Sequence, residues 1–138
     1  MIGQKEGSRT TVDDARIIQL PKIELDNGAI TPINALIDVP FQLKRVYFLY
    51  DVPNNTDRGA HAHRQLQQLV IAATGSFEIT LDDGKTKRNI LLRQPDSGLL
   101  IPPGLWRDLK NFSGGAVCLV LANQVYDEMD YLREFDEF

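Results

Sequence analysis

Short apolar runs separated by turn residues follow one another along this chain from Ile17 to about residue 123. Within these runs apolar residues often alternate with polar ones, a period typical of β-strands because successive side chains point to opposite faces. Glycine, proline, asparagine and aspartate fill the gaps, where tight turns require their backbone preferences. The pattern therefore predicts an all-β fold. The predicted strands lie near 16–24, 29–37, 43–51, 60–64, 67–74, 76–82, 86–93, 98–102 and 115–123.

The spacing of these strands limits the possible architectures. Large residues occupy both faces of segment 45–51, as expected of a strand that lines a closed or sandwiched sheet. The pair Asp83-Gly84, flanked by strand-like residues, predicts a type I′ hairpin turn, since that turn requires positive φ at both central positions. Many short strands joined by glycine and proline turns indicate a sandwich or a barrel, with the jelly roll among the leading forms.

The C-terminal end departs from this pattern. Over residues 126–135, the side chains of Met129, Leu132 and Phe135 are spaced to form one apolar stripe of a helix. The acidic residues of the same stretch would then lie on a solvated helix face or at a dimer contact. We therefore predict a short C-terminal helix.

Length, composition and charge bound the class of protein. The 138 residues, 43% of them hydrophobic, suffice for one core, and we predict a flexible leader over 1–14 and a single domain over 15–138. The single cysteine, Cys118, excludes a disulfide framework. A net charge of −4 argues against a broad nucleic-acid surface. No apolar stretch is long enough to cross a membrane and no signal-peptide core is present, so we expect a cytoplasmic protein.

The chain contains only two histidines, and they occur together as His61-Ala62-His63. Residues i and i+2 of a strand point to the same face, so both imidazoles would enter the same space. Imidazoles bind transition metals, and they also exchange protons near neutral pH because the ordinary pKa of histidine is about 6.5. The sequence therefore predicts a metal site or an acid–base pair, and the plain alternative is two surface histidines on an edge strand.

The spacing around this pair resembles the two sequence motifs of the cupin family. The matching residues are His61, His63, Gln68 and Gly75 in the first motif, and Pro102-Pro103-Gly104, Arg107 and Asn111 in the second. The resemblance implies the cupin jelly-roll β-barrel, so the predicted fold class is an all-β cupin jelly-roll β-barrel with a short C-terminal helix.

Two substitutions within the motifs argue against a metal. Metal-binding cupins use two histidines, a glutamate and a third histidine, and this chain has Gln68 and Arg107 at the last two positions. A glutamine carbonyl is a weak ligand, and a guanidinium offers no lone pair and repels a cation. We therefore predict no metal. Gln68 faces the histidines only if the strand bends near residues 64–66; on an unbroken strand Gln67 would face them instead.

The remaining polar and aromatic residues suit proton transfer on a phosphorylated ligand. Arg58 and Arg107 can hold a diphosphate or stabilise an oxyanion. Trp106 and Tyr47 offer flat faces for a base or sugar ring, although Trp106 is equally suited to cap the core. Arg45 is as well suited to a surface ion pair as to a phosphate contact.

Longer strings are similar to the cupin 3,4-ketoisomerases that act on dTDP-4-keto-6-deoxyglucose, a family that includes the C-terminal domains of WxcM-like proteins. The strings are Pro40-Phe41-x-x-Lys44-Arg45-Val46-Tyr47, Arg58-Gly59-x-His61-Ala62-His63, Leu81-Asp82-Asp83-Gly84, Pro103-x-x-Trp106, Asp108-x-x-Asn111-Phe112-Ser113, Val120-Leu121-Ala122 and Tyr126-Asp127-Glu128-x-Asp130-Tyr131-x-Arg133-x-x-Asp136-x-Phe138. The resemblance implies a homodimeric enzyme of deoxysugar biosynthesis that moves a keto group from C4 to C3 without a cofactor. It further implies partners in the same pathway, an acetyltransferase, fused or separate, or an aminotransferase.

The resemblance also implies roles for individual residues. His63 would be the base that removes the C3 proton, His61 would return protons toward C4, and Tyr47 would assist at the sugar. The implied substrate-binding residues are Arg58, Arg107, Trp106, Gln68 and Arg45.

Three other functions remain open at this point. A metal-dependent cupin is opposed by Gln68 and Arg107, and a non-catalytic sugar-nucleotide-binding module would keep the cavity without the reaction. A 3,5-epimerase shares substrate and barrel, but such epimerases pair a histidine with an acid elsewhere in the chain, so the His-x-His pair favours the ketoisomerase.

Relatives often have histidine at the position of Arg107 and an Asp-x-Arg-Gly string where this chain reads Leu25-Asp26-Asn27-Gly28. The sequence leaves open whether the product is galacto or gluco at C4.

Overall fold

The computed structural model describes residues 10–53 and 56–135, and this part of the chain is built almost entirely of short strands. Two 3-10 turns, Val12–Asp14 and Glu128–Asp130, accompany them. The strands are β1 (Arg16–Gln19), β2 (Ile23–Leu25), β3 (Gly28–Ile30), β4 (Arg45–Leu49), β5 (Arg58–His63), β6 (Gln68–Thr74), β7 (Phe77–Asp82), β8 (Lys87–Leu92), β9 (Ser97–Ile101), β10 (Trp106–Lys110), β11 (Val117–Ala122) and β12 (Tyr131–Leu132).

The strands form two five-stranded antiparallel sheets and one separate hairpin. The first sheet has the order β1-β9-β6-β11-β4, the second has the order β12-β5-β10-β7-β8, and β2 pairs only with β3. Apart from the β7–β8 hairpin, neighbours in each sheet are not consecutive in sequence, as in a jelly roll. The all-β jelly-roll prediction is confirmed. Within the described residues the two sheets form a sandwich, since no ladder of hydrogen bonds closes them into one barrel.

The main core lies between the two sheets, and a second apolar cluster covers the outer face of the first sheet. Strand β6 contributes side chains to both clusters. Val70 and Ala72 point into the main core, whereas Leu69 and Ile71 pack with Phe41 in the outer cluster. Both faces of β6 are therefore buried, which accounts for its nearly continuous apolar sequence.

The strand predictions differ from the structure at three places. The predicted strand 16–24 is divided into β1 and β2, and the predicted strand 29–37 ends at Ile30. Strand β10 was not predicted, because Arg107, Asp108 and Lys110 interrupt its apolar pattern. The Arg107 side chain is buried in the site described below, a placement that local alternation does not reveal.

The predicted helix over 126–135 is reduced to the single 3-10 turn Glu128–Asp130, followed directly by β12. Strand β12 pairs with β5, where Tyr131 lies opposite His63 and Leu132 opposite Ala62. Met129 is 80% exposed, so the expected apolar stripe does not form. Pairing with β5 and burial of Asp130 replace the helical hydrogen bonds. No helix in the described part of the chain is long and apolar enough to cross a membrane.

Packed structure begins before the predicted boundary at residue 14. Val12 is buried, and its backbone N–H donates to the carboxylate of Asp83 (3.0 Å). Arg88 donates to the backbone carbonyls of Val12 and Ala15, at 3.1 Å and 2.7 Å. These contacts tie residues 12–15 to the β7–β8 hairpin. Residues 1–9 of the predicted leader lie outside the described residues.

Gly75 lies between β6 and β7 at a φ of 70°, and a Cβ there would come within 2.9 Å of Cα of Ala116. Gly115 has a similar φ of 74° with no atom within 4 Å of its hypothetical Cβ. We expect Gly115→Ala to lower the free energy of unfolding by about 1 kcal/mol through backbone strain alone. Gly75→Ala adds the backbone contact, so its loss is greater by about 1–3 kcal/mol. Equal losses in denaturant titrations of the two variants would contradict this packing.

Candidate active site

Strand β5 carries both histidines and brings their rings into contact beside a cavity. His61 and His63 are two residues apart on the same face, and their Nε2 atoms lie 3.0 Å apart. The two rings meet edge to face, with centroids 4.7 Å apart. His63 is fully buried, whereas His61 is partly exposed to the cavity beside it. The predicted juxtaposition of the two imidazoles is therefore present in the structure.

A cavity of about 240 Å³ lies against His61, between the two sheets. Strand β4 contributes Arg45 and Tyr47 to its wall, and β10 contributes Arg107, which pairs in register with His61 across the sheet. The lining residues are Arg45, Tyr47, Leu49, Arg58, Gly59, His61, Gln68, Arg107, Leu109, Val120, Tyr131 and Arg133. Several cations and aromatic rings on an apolar floor suit a phosphorylated ligand that carries a ring.

Arg107, Gln68 and Tyr47 form a hydrogen-bonded chain in the wall of this cavity. The guanidinium of Arg107 donates from Nη1 to Oε1 of Gln68 (2.7 Å) and from Nη2 to the backbone carbonyl of Leu105 (3.0 Å). A guanidinium only donates, so the amide oxygen of Gln68 accepts from it and Nε2 of Gln68 donates to the Tyr47 hydroxyl oxygen (3.1 Å). The hydroxyl hydrogen of Tyr47 is therefore available to another acceptor.

The same hydrogen bonds show that Gln68, and not Gln67, reaches the cavity. The strand that carries the histidines ends at His63, bends at residues 64–65, and resumes as β6 at Gln68. Gln68 is 3% exposed and reaches the cavity, as the bend requires. At the two positions where a cupin metal site would have its glutamate and third histidine, Gln68 and Arg107 thus bind each other. No group of three histidine, cysteine or acidic side chains suited to a metal occurs among residues 10–53 and 56–135.

Burial and positive charge keep the two histidines neutral. Burial, followed by the charge of Arg107 and the neighbouring imidazole, lowers the pKa of His61 to about 3. Burial, followed by the charges of Arg107, Arg133 and Arg45, also lowers the pKa of His63 to about 3. Arg107 itself keeps its proton at neutral pH, since burial lowers its pKa only to about 10. The site thus combines a permanent cation with two imidazoles that can accept protons.

Sequence analysis missed three residues of the C-terminal segment that belong to the site. Asp130 is 7% exposed, and its Oδ2 lies 3.1 Å from Nδ1 of His63. The Tyr131 ring packs against both imidazoles, with centroids 5.1 Å from His61 and 4.4 Å from His63. Arg133 lies over the Tyr131 ring and lines the cavity. All three occur in the C-terminal string quoted above, but the predicted helix placed its acidic residues on a solvated face or at a dimer contact.

The remaining predicted residues fall into two groups. Arg45 and Arg58 line the cavity, and the guanidinium of Arg45 lies 4.5 Å from the centroid of the Tyr47 ring. Trp106 is not among the described residues that line it. Its side chain belongs to a small buried cluster with Ala62 and Leu132, and its ring meets that of Phe135 edge-on. Trp106 therefore lies behind β5 rather than in the cavity.

Fold and site together define a jelly-roll protein with a pair of histidines beside an arginine-lined cavity. The model of the FdtA family, described as WxcM-like, C-terminal, matches residues 13–138. The TDP-4-oxo-6-deoxy-alpha-D-glucose-3,4-oxoisomerase of Aneurinibacillus thermoaerophilus is 37% identical over 123 residues, which cover 89% of this chain and 88% of the relative. This chain belongs to the FdtA family.

Two solved structures share both the fold and a substantial part of the sequence. The 3,4-ketoisomerase QdtA of Thermoanaerobacterium thermosaccharolyticum, solved as a histidine-to-asparagine mutant with TDP-4-keto-6-deoxyglucose, has a TM-score of 0.90 and 38% identity over 92% of each chain. The TDP-quinovose 3,4-ketoisomerase WlaRB of Campylobacter jejuni has a TM-score of 0.87 and 43% identity, covering 91% of this chain and 97% of its own. The family predicted from the sequence is confirmed.

The depressed pKa values predict how the histidines titrate. In the free protein we expect neither imidazole to take up a proton between about pH 8 and about pH 5, because both pKa values lie near 3. Imidazole resonances in NMR spectra recorded over this range test the expectation, and urea-unfolded protein, titrating near pH 6.5, is the control. A midpoint near pH 6.5 in the folded protein would contradict it.

The same shift couples pH to stability. Unfolded histidine binds a proton as the pH falls through about 6.5, whereas the folded pair does so only near pH 3. The unfolded state therefore binds more protons in this window. We expect the histidine contribution to the free energy of unfolding to decrease as the pH falls from about 6.5 to about 3.

Proposed function

We propose that the protein is a sugar-nucleotide 3,4-ketoisomerase that converts dTDP-4-keto-6-deoxyglucose into a dTDP-3-keto-6-deoxyhexose. The observation that carries this proposal is the close contact between His61 and His63 beside the cavity, with Nε2 atoms 3.0 Å apart. Moving a keto group between neighbouring carbons is redox-neutral overall and proceeds through an enediol. The reaction therefore requires proton transfers only, which imidazoles perform. The activities of the family relatives support the same assignment.

We assign the C3 proton to His61, because its ring lines the cavity whereas His63 is fully buried behind it. As the C3–H bond breaks, its electrons form the C3–C4 double bond and the C4 oxygen gains negative charge. Protonation of that oxygen gives the enediol. Loss of the hydrogen on O3 and delivery of a proton to C4 then give the 3-keto product. This division of roles reverses the one implied by the family resemblance, in which His63 is the base.

Tyr47 is suited to stabilise the negative charge at the C4 oxygen. Burial raises the pKa of Tyr47, so its hydroxyl remains protonated at neutral pH. Its oxygen accepts from Gln68, which leaves its hydrogen free to donate to the substrate. Arg107, whose hydrogen-bond acceptors Gln68 and Leu105 are both neutral, adds an unneutralised positive charge nearby.

The arginines of the cavity wall account for the diphosphate. Arg45, Arg58 and Arg133 all line the cavity, and guanidinium groups bind phosphate oxygens in pairs. A bound dianion would offset the positive charges that lower the pKa of both histidines. We infer that the substrate itself raises these pKa values and so makes the pair a better base than in the free protein.

A 3,5-epimerase is the second candidate, since it shares the substrate class and the fold. Epimerases of that kind pair a histidine with an acid elsewhere in the chain, and Asp130 beside His63 provides such a pair here. The presence of Asp130 beside His63 therefore does not distinguish an epimerase from a ketoisomerase. The second histidine, His61, favours the ketoisomerase because a keto shift must remove a proton at one carbon and deliver one to its neighbour.

Isomerisation in heavy water tests the proposal. With dTDP-4-keto-6-deoxyglucose we expect NMR spectra to show a 3-keto product that carries deuterium at C4. His61→Asn should lower kcat by about 100-fold to 10,000-fold, as expected for loss of a general base, while binding of dTDP is retained. Arg64→Gln is the matched control. It removes a charge next to the pair in sequence, but Arg64 is exposed and does not line the cavity.

Each alternative has its own outcome in this experiment. Exchange at C3 and C5 without movement of the keto group would indicate an epimerase, and binding without any exchange would indicate a non-catalytic module. A stoichiometric transition metal held by His61 and His63 would overturn the metal-free reaction. Full turnover by His61→Asn would overturn the role given to that residue.

Strand β4 presents an apolar outer face that suits a homodimer. Val46, Phe48 and Tyr50 are 56%, 57% and 61% exposed, and β4 is an edge strand of the first sheet. Exposed apolar patches on a sheet commonly mark interfaces between chains. We propose that this face packs against a second copy of the chain, in agreement with the homodimer that the family resemblance implies.

Light scattering tests this interface. We expect the wild-type protein to have twice the mass of one chain, and Phe48→Glu to shift it toward the monomer because a carboxylate would be buried without a partner. Leu91→Glu is the matched control. Leu91 is 53% exposed on β8, the edge strand of the other sheet. A monomeric wild-type protein, or the same dissociation in both variants, would contradict the proposal.

The chemistry of the product suggests which reactions follow. A 3-keto sugar carries the carbonyl that an aminotransferase converts into an amine, and an acetyltransferase acylates such an amine. We propose that enzymes of these two classes consume the product in turn.

A further inference from the structure

Asp130 is a buried carboxylate that contacts His63 and is not among the described residues that line the cavity. We propose that Asp130 is a positioning residue: it fixes the tautomer of His63 and thereby the direction of the hydrogen bond between the two histidines. The proposal rests on the ketoisomerase function for its kinetic consequence, but its structural consequence can be measured without any substrate. In sequence this residue belongs to an acidic stretch, and nothing local distinguishes it from Asp127.

The hydrogen bonds around Asp130 require both of its oxygens to accept. Oδ1 accepts from the backbone N–H of Gln65 (2.7 Å), and Oδ2 accepts from the backbone N–H of Leu66 (3.2 Å). Oδ2 also lies 3.1 Å from Nδ1 of His63. Backbone N–H groups cannot accept a hydrogen, so the carboxylate acts as an acceptor throughout. The hydrogen between Asp130 and His63 therefore belongs to Nδ1 of the histidine.

This placement determines the state of the second histidine. A neutral imidazole carries one hydrogen, so Nε2 of His63 is left with a lone pair. That lone pair faces Nε2 of His61 at 3.0 Å, and His61 must therefore donate from Nε2. The remaining lone pair of the two rings is on Nδ1 of His61, the ring that lines the cavity. Asp130 thus assigns the basic nitrogen to the histidine that lines the cavity, where a hydrogen bond with the Gly59 backbone favours the protonated ring.

The same arrangement gives the pair a path for the proton that it accepts. A proton taken up at Nδ1 of His61 makes that ring an imidazolium, whose Nε2 proton can pass to Nε2 of His63. His63 would then carry the positive charge beside the carboxylate of Asp130, 3.1 Å away. The carboxylate stabilises this charged form, whereas the nearby arginines oppose it. Asp130 therefore favours inward transfer of the proton and its later return.

Asp130→Asn tests the proposal because it nearly preserves the shape of the side chain while adding a donor. We expect the asparagine oxygen to stay on the N–H of Gln65, the shorter of the two backbone contacts at 2.7 Å against 3.2 Å for Leu66. Its amide nitrogen then replaces the oxygen that accepted from Leu66, and it donates to Nδ1 of His63. We expect His63 to change to the Nε2–H tautomer, which conflicts with the Nε2–H of His61. With both tautomers disturbed, kcat should fall by up to about 10,000-fold with little change in KM, the size of loss found when a histidine base is held in the wrong tautomer.

Nitrogen NMR gives a direct readout, because His61 and His63 are the only two histidines of the chain. Protein labelled with 15N in its histidine rings and free of any histidine tag would show two imidazoles. In the wild type we expect Nδ1–H on the His63 ring and Nε2–H on the His61 ring, with the two rings assigned from the spectrum of His61→Asn. The matched control is Asp127→Asn, which removes an equal charge from the same turn, where Asp127 only caps the backbone N–H of Met129. It should leave both tautomers and kcat unchanged.

The outcomes separate a positioning role from a structural one. Wild-type tautomers in Asp130→Asn would overturn the proposal, and so would a tautomer change without loss of kcat. If the variant does not fold, the wild-type spectrum still decides, since an Nε2–H tautomer at His63 would overturn the proposal by itself. Absence of turnover in the wild type together with the expected tautomers would instead contradict only the ketoisomerase function.

Discussion

The geometry of the site depends on one buried cation, the guanidinium of Arg107. It is 1% exposed, and its hydrogen-bond acceptors, the side chain of Gln68 and the backbone of Leu105, are both neutral. Its charge therefore acts on its surroundings instead of being cancelled. It contributes to keeping both histidines unprotonated, and it turns the Gln68 amide so that Tyr47 can donate its hydrogen. The arginine at the position of the usual cupin metal ligand thus influences the protonation of the histidine pair.

The C-terminal segment completes the site from the other side. Its 3-10 turn brings Asp130 beneath His63, and strand β12 places Tyr131 against both imidazoles. Arg133 follows at the rim of the cavity. The histidine pair therefore has a guanidinium on the neighbouring strand β10 and a carboxylate against Nδ1 of His63. The residues that act on the pair come from strands far apart in sequence, since Arg107 lies on β10 and Asp130 precedes β12.

The limits of sequence analysis follow from the same residues. Alternation of apolar and polar residues identified the strands that face the core, because the side-chain period of a strand is set locally. Alternation did not predict β10, because the buried guanidinium of Arg107 occupies a position where a charged residue usually indicates exposure. For residues 126–135, helical spacing predicted a helix, but the segment instead pairs with β5. Trp106 offered a flat face for a ligand, but the structure places it in a small cluster behind β5.

The sequence by itself determined the all-β fold, the family, and the histidine pair, whose two members share a face because they are two residues apart on one strand. It also excluded a full set of cupin metal ligands, since Gln68 and Arg107 are visible in the spacing of the motifs. Only the tertiary structure decided that His61 faces the cavity and His63 does not, and that Asp130 lies behind the pair. Those facts depend on which distant strands pair with β5 and on how deeply each side chain is buried, and neither is encoded within a few residues of the pair.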